Sequence, residues 1–157
     1  MKELIERINT TFTCDDFLSD DFNFPSRTTY ECEEIRRFLS EGNEKLCGEL
    51  LEEFFDVLYW VEPSGFEKLL PRIMKTSIEE VEPNLLVVSA LIGMLDVGDE
   101  PNNWGAYMLQ CWGLLSRQQL EVVLDWIVWI SDCQEACYED VVLTRSFNAI
   151  SLLMKDQ

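Results

Sequence analysis

The sequence predicts an all-α fold, one compact domain over residues 1–157 with about six to eight helices and an irregular acidic-aromatic segment near the N-terminus. Three observations predict it. Apolar residues recur at steps of three and four, the period of a helix with one buried face. Alternating strand-like runs are missing; Leu86-Val87-Val88 and Val122-Val123 are β-compatible only in isolation. Finally, 47% of the 157 residues are apolar and 11% aromatic, a folding composition that needs neither disulfides nor metals.

Leu4, Ile5, Ile8 and Phe12 make a short amphipathic helix. Residues 14–29 have no helical period and set acid pairs beside aromatics, which predicts an irregular surface segment, either functional or a simple linker. Leu46, Leu50, Leu51, Phe54, Leu58 and Val61 then share one face of a helix with Asn43 as its N-cap. Pro63 or Ser64 opens the next, through Phe66, Leu69, Leu70, Ile73 and Met74, with Pro71 expected to kink or interrupt it.

Pro83 sits in the first turn of a nearly all-apolar helix over 84–95, which belongs at the centre of the fold and ends at Val97-Gly98-Asp99-Glu100-Pro101. Residues 104–115 read as a helix weakened by Gly105 and Gly113. Ser116 caps a helix carrying Leu120, Val123, Leu124, Ile127 and Ile130, with Trp126 facing the core. Residues 134–154 make a C-terminal helix with a break expected near Thr144. No fixed-period repeat is present.

Thirty Asp and Glu against 12 Lys and Arg, with no histidine, give a formal net charge of −18. Such a surface repels nucleic-acid phosphates and anionic membranes, and it speeds the approach of a basic partner. Without histidine the chain lacks the commonest general base and the commonest metal ligand. It carries no Gly-rich phosphate loop and no nucleophile elbow, and Cys133 and Cys137 are not spaced as a zinc knuckle. Carboxylate pairs such as Glu52-Glu53 and Glu79-Glu80 are what so acidic a chain produces by chance. We therefore expect no catalysis, no cofactor and no metal.

No run of about 18 apolar residues occurs, and the start is acidic rather than basic-then-apolar, so neither a membrane span nor a signal peptide is expected. Cys14, Cys32, Cys47, Cys111, Cys133 and Cys137 read as reduced thiols, several of them buried, in a cytoplasmic protein.

Three acidic surfaces are candidates for binding. Glu49, Glu52, Glu53 and Asp56 form a ridge opposite the apolar stripe of their helix, with Lys45 the one cation beside them. Asp15, Asp16, Asp20 and Asp21 punctuate the irregular segment. Glu121, Asp125 and Trp129 share a helix face on which an aromatic anchor stands among carboxylates. Between residues 76 and 144, twelve carboxylates face the single cation Arg117, a segregation that repels itself on folding.

Glu31-Cys32-Glu33-Glu34-Ile35 with Phe38, then Leu50 and Leu58, Pro63-x-x-Phe66-x-x-x-Leu70-Pro71, and Leu115-Ser116-x-x-Gln119 form an order that resembles a family of small uncharacterised helical proteins of bacteria, over about residues 30–131. That family implies no catalytic residues. In size, acidity and helical character the chain is also similar to immunity proteins of bacterial toxin systems, which cover a toxin's active site or a nearby surface. The similarity implies an immunity or antitoxin protein whose partner is basic, a toxin domain such as a nuclease. The alternative is a phage-type nucleic-acid mimic, which needs a long face charged once per about 1.7 Å. A hydrolase working through carboxylates alone or with a divalent ion held by them is the third class. The oligomeric state stays open.

Overall fold

The computed structural model describes residues 1–13, 15–44 and 46–155. Among them are eight α-helices and no strand: α1 (Lys2–Thr11), α2 (Thr29–Gly42), α3 (Gly48–Glu53), α4 (Pro63–Glu79), α5 (Leu86–Leu95), α6 (Ala106–Trp112), α7 (Arg117–Asp132) and α8 (Asp140–Leu153). Four short 3-10 turns link them. The only β-type pairing among the described residues is an isolated bridge, Phe22 to Val61.

α4 is the hub of this arrangement. Phe66, Leu69, Leu70, Ile73, Met74 and Ile78 are buried along it, and α1, α3, α5 and α6 all pack on it. Pro71 lies inside α4 and is buried, yet the helix runs through it unbroken; the helical bond that its missing N–H forfeits is lost within one continuous element. α5 packs against α3, α4 and α8, with Val87, Val88, Leu91, Ile92 and Leu95 inward. α7 closes the molecule between α1 and α8. Trp126 is fully buried and its indole N–H donates to Ser77 Oγ at 3.1 Å, which satisfies the one polar atom the ring brings into the core.

Several expected elements take a different form. Asn43 does not open a helix; it closes α2, and its side chain is occupied by Phe17, accepting from the backbone N–H at 2.9 Å and donating to the carbonyl at 3.0 Å. The expected helix through Val61 is the six-residue α3, followed by a 3-10 turn over Phe55–Tyr59. Phe54 leaves helical geometry (φ −111°, ψ 32°) to pack on Phe38 at 5.9 Å, and the tighter winding buries Val57 and Leu58 side by side. Gly105 and Gly113 do not weaken α6 from within but bound it at either end. α8 begins at Asp140 and continues through Thr144, because the preceding residues are held outside any helix by Asn84 and Tyr138.

α2 adds to the expected set. Its start is legible after the fact: Thr28 accepts from the Glu31 N–H at 3.3 Å while Glu31 accepts from the Thr28 N–H at 2.6 Å, a reciprocal cap that holds the Glu31 carboxyl below its usual range. α7 begins as predicted, with Ser116 and Gln119 forming the same reciprocal cap.

Of the five described cysteines, all unpaired, only Cys111 is buried, so the expectation of several buried thiols fails. Cys14 lies outside the described residues. Burial pushes the Cys111 thiol up to about 11, which keeps it protonated and unreactive near neutral pH. Burial likewise raises Tyr107, whose hydroxyl reaches the carbonyls of Leu58 at 2.8 Å and Val61 at 3.0 Å and ties α6 to the 3-10 turn.

Candidate functional site

The irregular N-terminal segment is a clasp rather than a free loop. Phe17 and Phe22 are buried and stack through Phe38, with ring centroids 5.3 and 6.3 Å from it. Asp21 is turned inward, only 4% exposed; its carboxylate accepts from Lys68 Nζ at 2.9 Å and from the Leu18 N–H at 2.7 Å. Arg72 stacks over Phe17 at 4.5 Å, donates to the Asp15 carbonyl at 2.9 Å and lies 3.7 Å from the Asp16 carboxylate. Asp15, Asp16 and Asp20 stay exposed.

The predicted ridge is divided. Glu53 points to Arg37, 2.6 Å away, and that contact holds the guanidinium's proton more tightly than usual. Glu52 accepts from the Leu86 N–H at 2.5 Å and so caps α5 from outside. Glu49 and Asp56 are exposed, and Lys45 lies outside the described residues. On α7, Glu121 pairs with Arg117 at 3.3 Å and Asp125 with Arg7 of α1. Trp129 is half-buried beside that pair, in a shallow cavity of about 370 Å³ shared with Leu4, Val128 and Asp132.

Where the structure concentrates unneutralised acid is the junction of α3, the end of α4 and the start of α5. Glu49 and Glu52 of α3 meet Glu80 and Glu82 beyond α4 around an open cavity of about 390 Å³, in whose lining there is no cation among the described residues. Glu80 accepts from the Gly48 N–H with both oxygens, at 3.0 and 3.1 Å, and caps α3 as Glu52 caps α5. Asn84, on the same cavity wall, donates to the Glu135 carbonyl at 2.7 Å and accepts from the Cys137 N–H at 2.9 Å. Tyr138 donates to the Pro83 carbonyl at 2.9 Å. These bonds stitch the acidic end of α4 to the segment between α7 and α8, where Asp132, Glu135, Glu139 and Asp140 are all exposed. The result is one acidic strip assembled from three chain segments, α3, the end of α4 and the connection from α7 to α8.

Two features of the strip work against stability. Glu79 and Glu82 stand at the C-terminal end of α4 and Asp132 at that of α7, where the helix's own partial charge is negative; each acid costs about 0.3–1 kcal/mol there. Among the described residues none of the three has a cation within ion-pair distance, and no α-helix carries Lys or Arg in its last turn. The second feature is Val81. The Glu82 N–H donates to the Ser77 carbonyl at 2.9 Å and the Val81 N–H to the Ile78 carbonyl at 3.4 Å, a helix ending that places its outer residue in the left-handed region. Glycine is usual there; Val81 adopts φ 56° with its side chain 46% exposed. A β-branched residue in that conformation costs about 1–2 kcal/mol.

Chemically the strip offers carboxylates, backbone carbonyls and a few exposed aliphatic residues such as Val81 and Leu86, which suits ammonium and guanidinium groups. Among the described residues no group of three or more Cys, Asp or Glu is arranged to hold a metal ion. No helix among them is long and apolar enough to cross a membrane. Sequence reasoning placed Glu49 and Glu52 at a binding surface but left out Glu80, Glu82 and Glu135; the signal available was the cation-poor stretch, which locates acid along the chain without saying which acids meet. No family model, no curated protein and no solved structure matches this chain.

Proposed function

We propose that this protein is an immunity- or antitoxin-type binder: in the cytoplasm it sets its acidic strip against a basic protein partner, a toxin domain, and covers that partner's active site or an adjacent surface. The observation that carries the reading is the position of Glu79, Glu82 and Asp132. Each sits where it opposes folding and none is neutralised among the described residues, and groups held against a protein's own stability mark function. A field of this sign raises the encounter rate with a basic surface, while desolvated contacts at Val81 and the cavity wall slow release.

The test is capture of partners from the source cell, identification of what is retained, and repetition with Glu82→Lys and Glu135→Lys. The reading expects a basic protein whose activity is inhibited in the complex and which the paired reversal releases. Retention unchanged by reversal of this strip would contradict it. A captured DNA-channel enzyme that competing duplex DNA displaces would instead make the strip a nucleic-acid mimic.

A further inference from the structure

Beside the strip, α7 and α8 leave an open groove of about 440 Å³. Ile127, Val128, Leu143 and Phe147 supply its apolar walls, and Asp140 stands at one mouth. Val128 is 45% and Phe147 38% exposed, so two large side chains on facing helices stay partly wet. Val128 also walls the neighbouring cavity with Leu4 and Trp129, so apolar surface continues from α8 across α7 to α1.

The charge at this groove has one sign. Around the two cavities Asp125 is paired with Arg7, whereas Glu3, Asp132 and Asp140 have no cation partner among the described residues. Glu135 and Glu139 lie next to the same mouth in sequence and are exposed. Arg145 of α8 is engaged elsewhere, 3.1 Å from Asp96. A second copy of this chain would bring the same acidic rim and another −18 charges, and an anionic lipid surface would be repelled likewise.

From Asp140 to Phe147 the groove follows two turns of α8, about 10 Å at 1.5 Å per residue, the reach of apolar side chains at i, i+3, i+4 and i+7 of a docked helix. We propose that the α7–α8 groove seats an amphipathic helix of the partner, its apolar stripe between Val128 and Phe147 and its Lys and Arg side chains over Asp132 and Asp140. This rests on the binding reading above and extends it: the strip attracts, and the groove holds. Val128 and Phe147 project from helices whose inward faces are already packed, so changing them leaves the core intact.

The experiment uses two synthetic amphipathic helices with one apolar stripe, flanked by Lys in the first and by Glu in the second, titrated into the full chain and followed by amide chemical shifts and calorimetry. The Lys peptide should shift residues 127–132 and 140–147, and its affinity should fall tenfold or more in both Val128→Ser and Phe147→Ser, with melting temperatures kept. The Glu peptide should not bind. Lys-peptide binding that both variants leave unchanged, or shifts confined to residues 79–84, would overturn the groove while leaving the acidic strip in place. Equal binding of the two peptides in the groove would refute the charge complementarity on which both readings depend. Sedimentation showing a dimer that Phe147→Asp abolishes would assign the groove to a second copy instead.

Discussion

The carboxylates of the first 75 residues and those of residues 76–144 are used differently. In the first stretch 17 acids share nine cations, and the structure ties many of them down: Asp21 to Lys68, Asp16 to Arg72, Glu34 and Glu53 to Arg37. In the second, twelve acids share Arg117, while Arg7 and Arg145 reach in from outside the stretch to Asp125 and Asp96. From the first set Asp16 and Asp21 hold the N-terminal segment to α4, whereas from the second Glu79, Glu82 and Asp132 stand at helix C-termini that disfavour them. Equal acidity in composition therefore conceals opposite contributions to stability, and substitutions should separate them.

The largest effect is expected at the clasp. Lys68→Ala leaves Asp21 nearly buried with no counter-charge, and loss of one partner of such a pair costs about 3–5 kcal/mol. In a domain of this size that lowers Tm by roughly 6–20 °C, read by calorimetry. Gly65→Ala comes next, because the new Cβ would lie 2.5 Å from the Asp21 carbonyl oxygen and 2.9 Å from Asp21 Cβ. Forcing the clasp off α4 should cost about 1–3 kcal/mol in denaturant unfolding. Were either substitution neutral, the segment would be the solvated linker that its composition also allowed.

On the strip the sign reverses. Val81→Gly removes a left-handed β-branched residue and should raise stability by about 1 kcal/mol in the same unfolding assay, the gain in native geometry being partly offset by glycine's freedom in the unfolded chain. A loss of stability would mean that Val81 contributes packing to the fold and is no candidate contact residue.

How much of this was legible in the sequence depends on the range of the interaction. The Ser116 cap of α7 is local, spanning three residues, and it reads directly off the chain. Helical period likewise gave α4 and the burial of α5. The clasp was illegible because its partners are remote: Asp21 meets Lys68 and Asn43 meets Phe17 across 47 and 26 residues, and a pattern read locally makes one a free acid and the other an N-cap. The acidic strip was half legible. A cation-poor stretch can be counted, but Asn84 is what brings the end of α4 to Glu135, and nothing near Asn84 in sequence names that partner.

The central claim is that Glu79, Glu82 and Asp132 oppose folding and are kept for binding, and the melting temperature of Glu79→Gln/Glu82→Gln/Asp132→Asn across ionic strength tests it with the protein alone. Relief at two helix C-termini totals about 1–3 kcal/mol, so the variant should melt roughly 2–12 °C above the parent chain at low salt. The gap should narrow as salt approaches about 0.15 M, where screening shortens to about 8 Å. A variant that melts below the parent chain at low salt would show that these carboxylates stabilise the fold, and the account of the strip would fail.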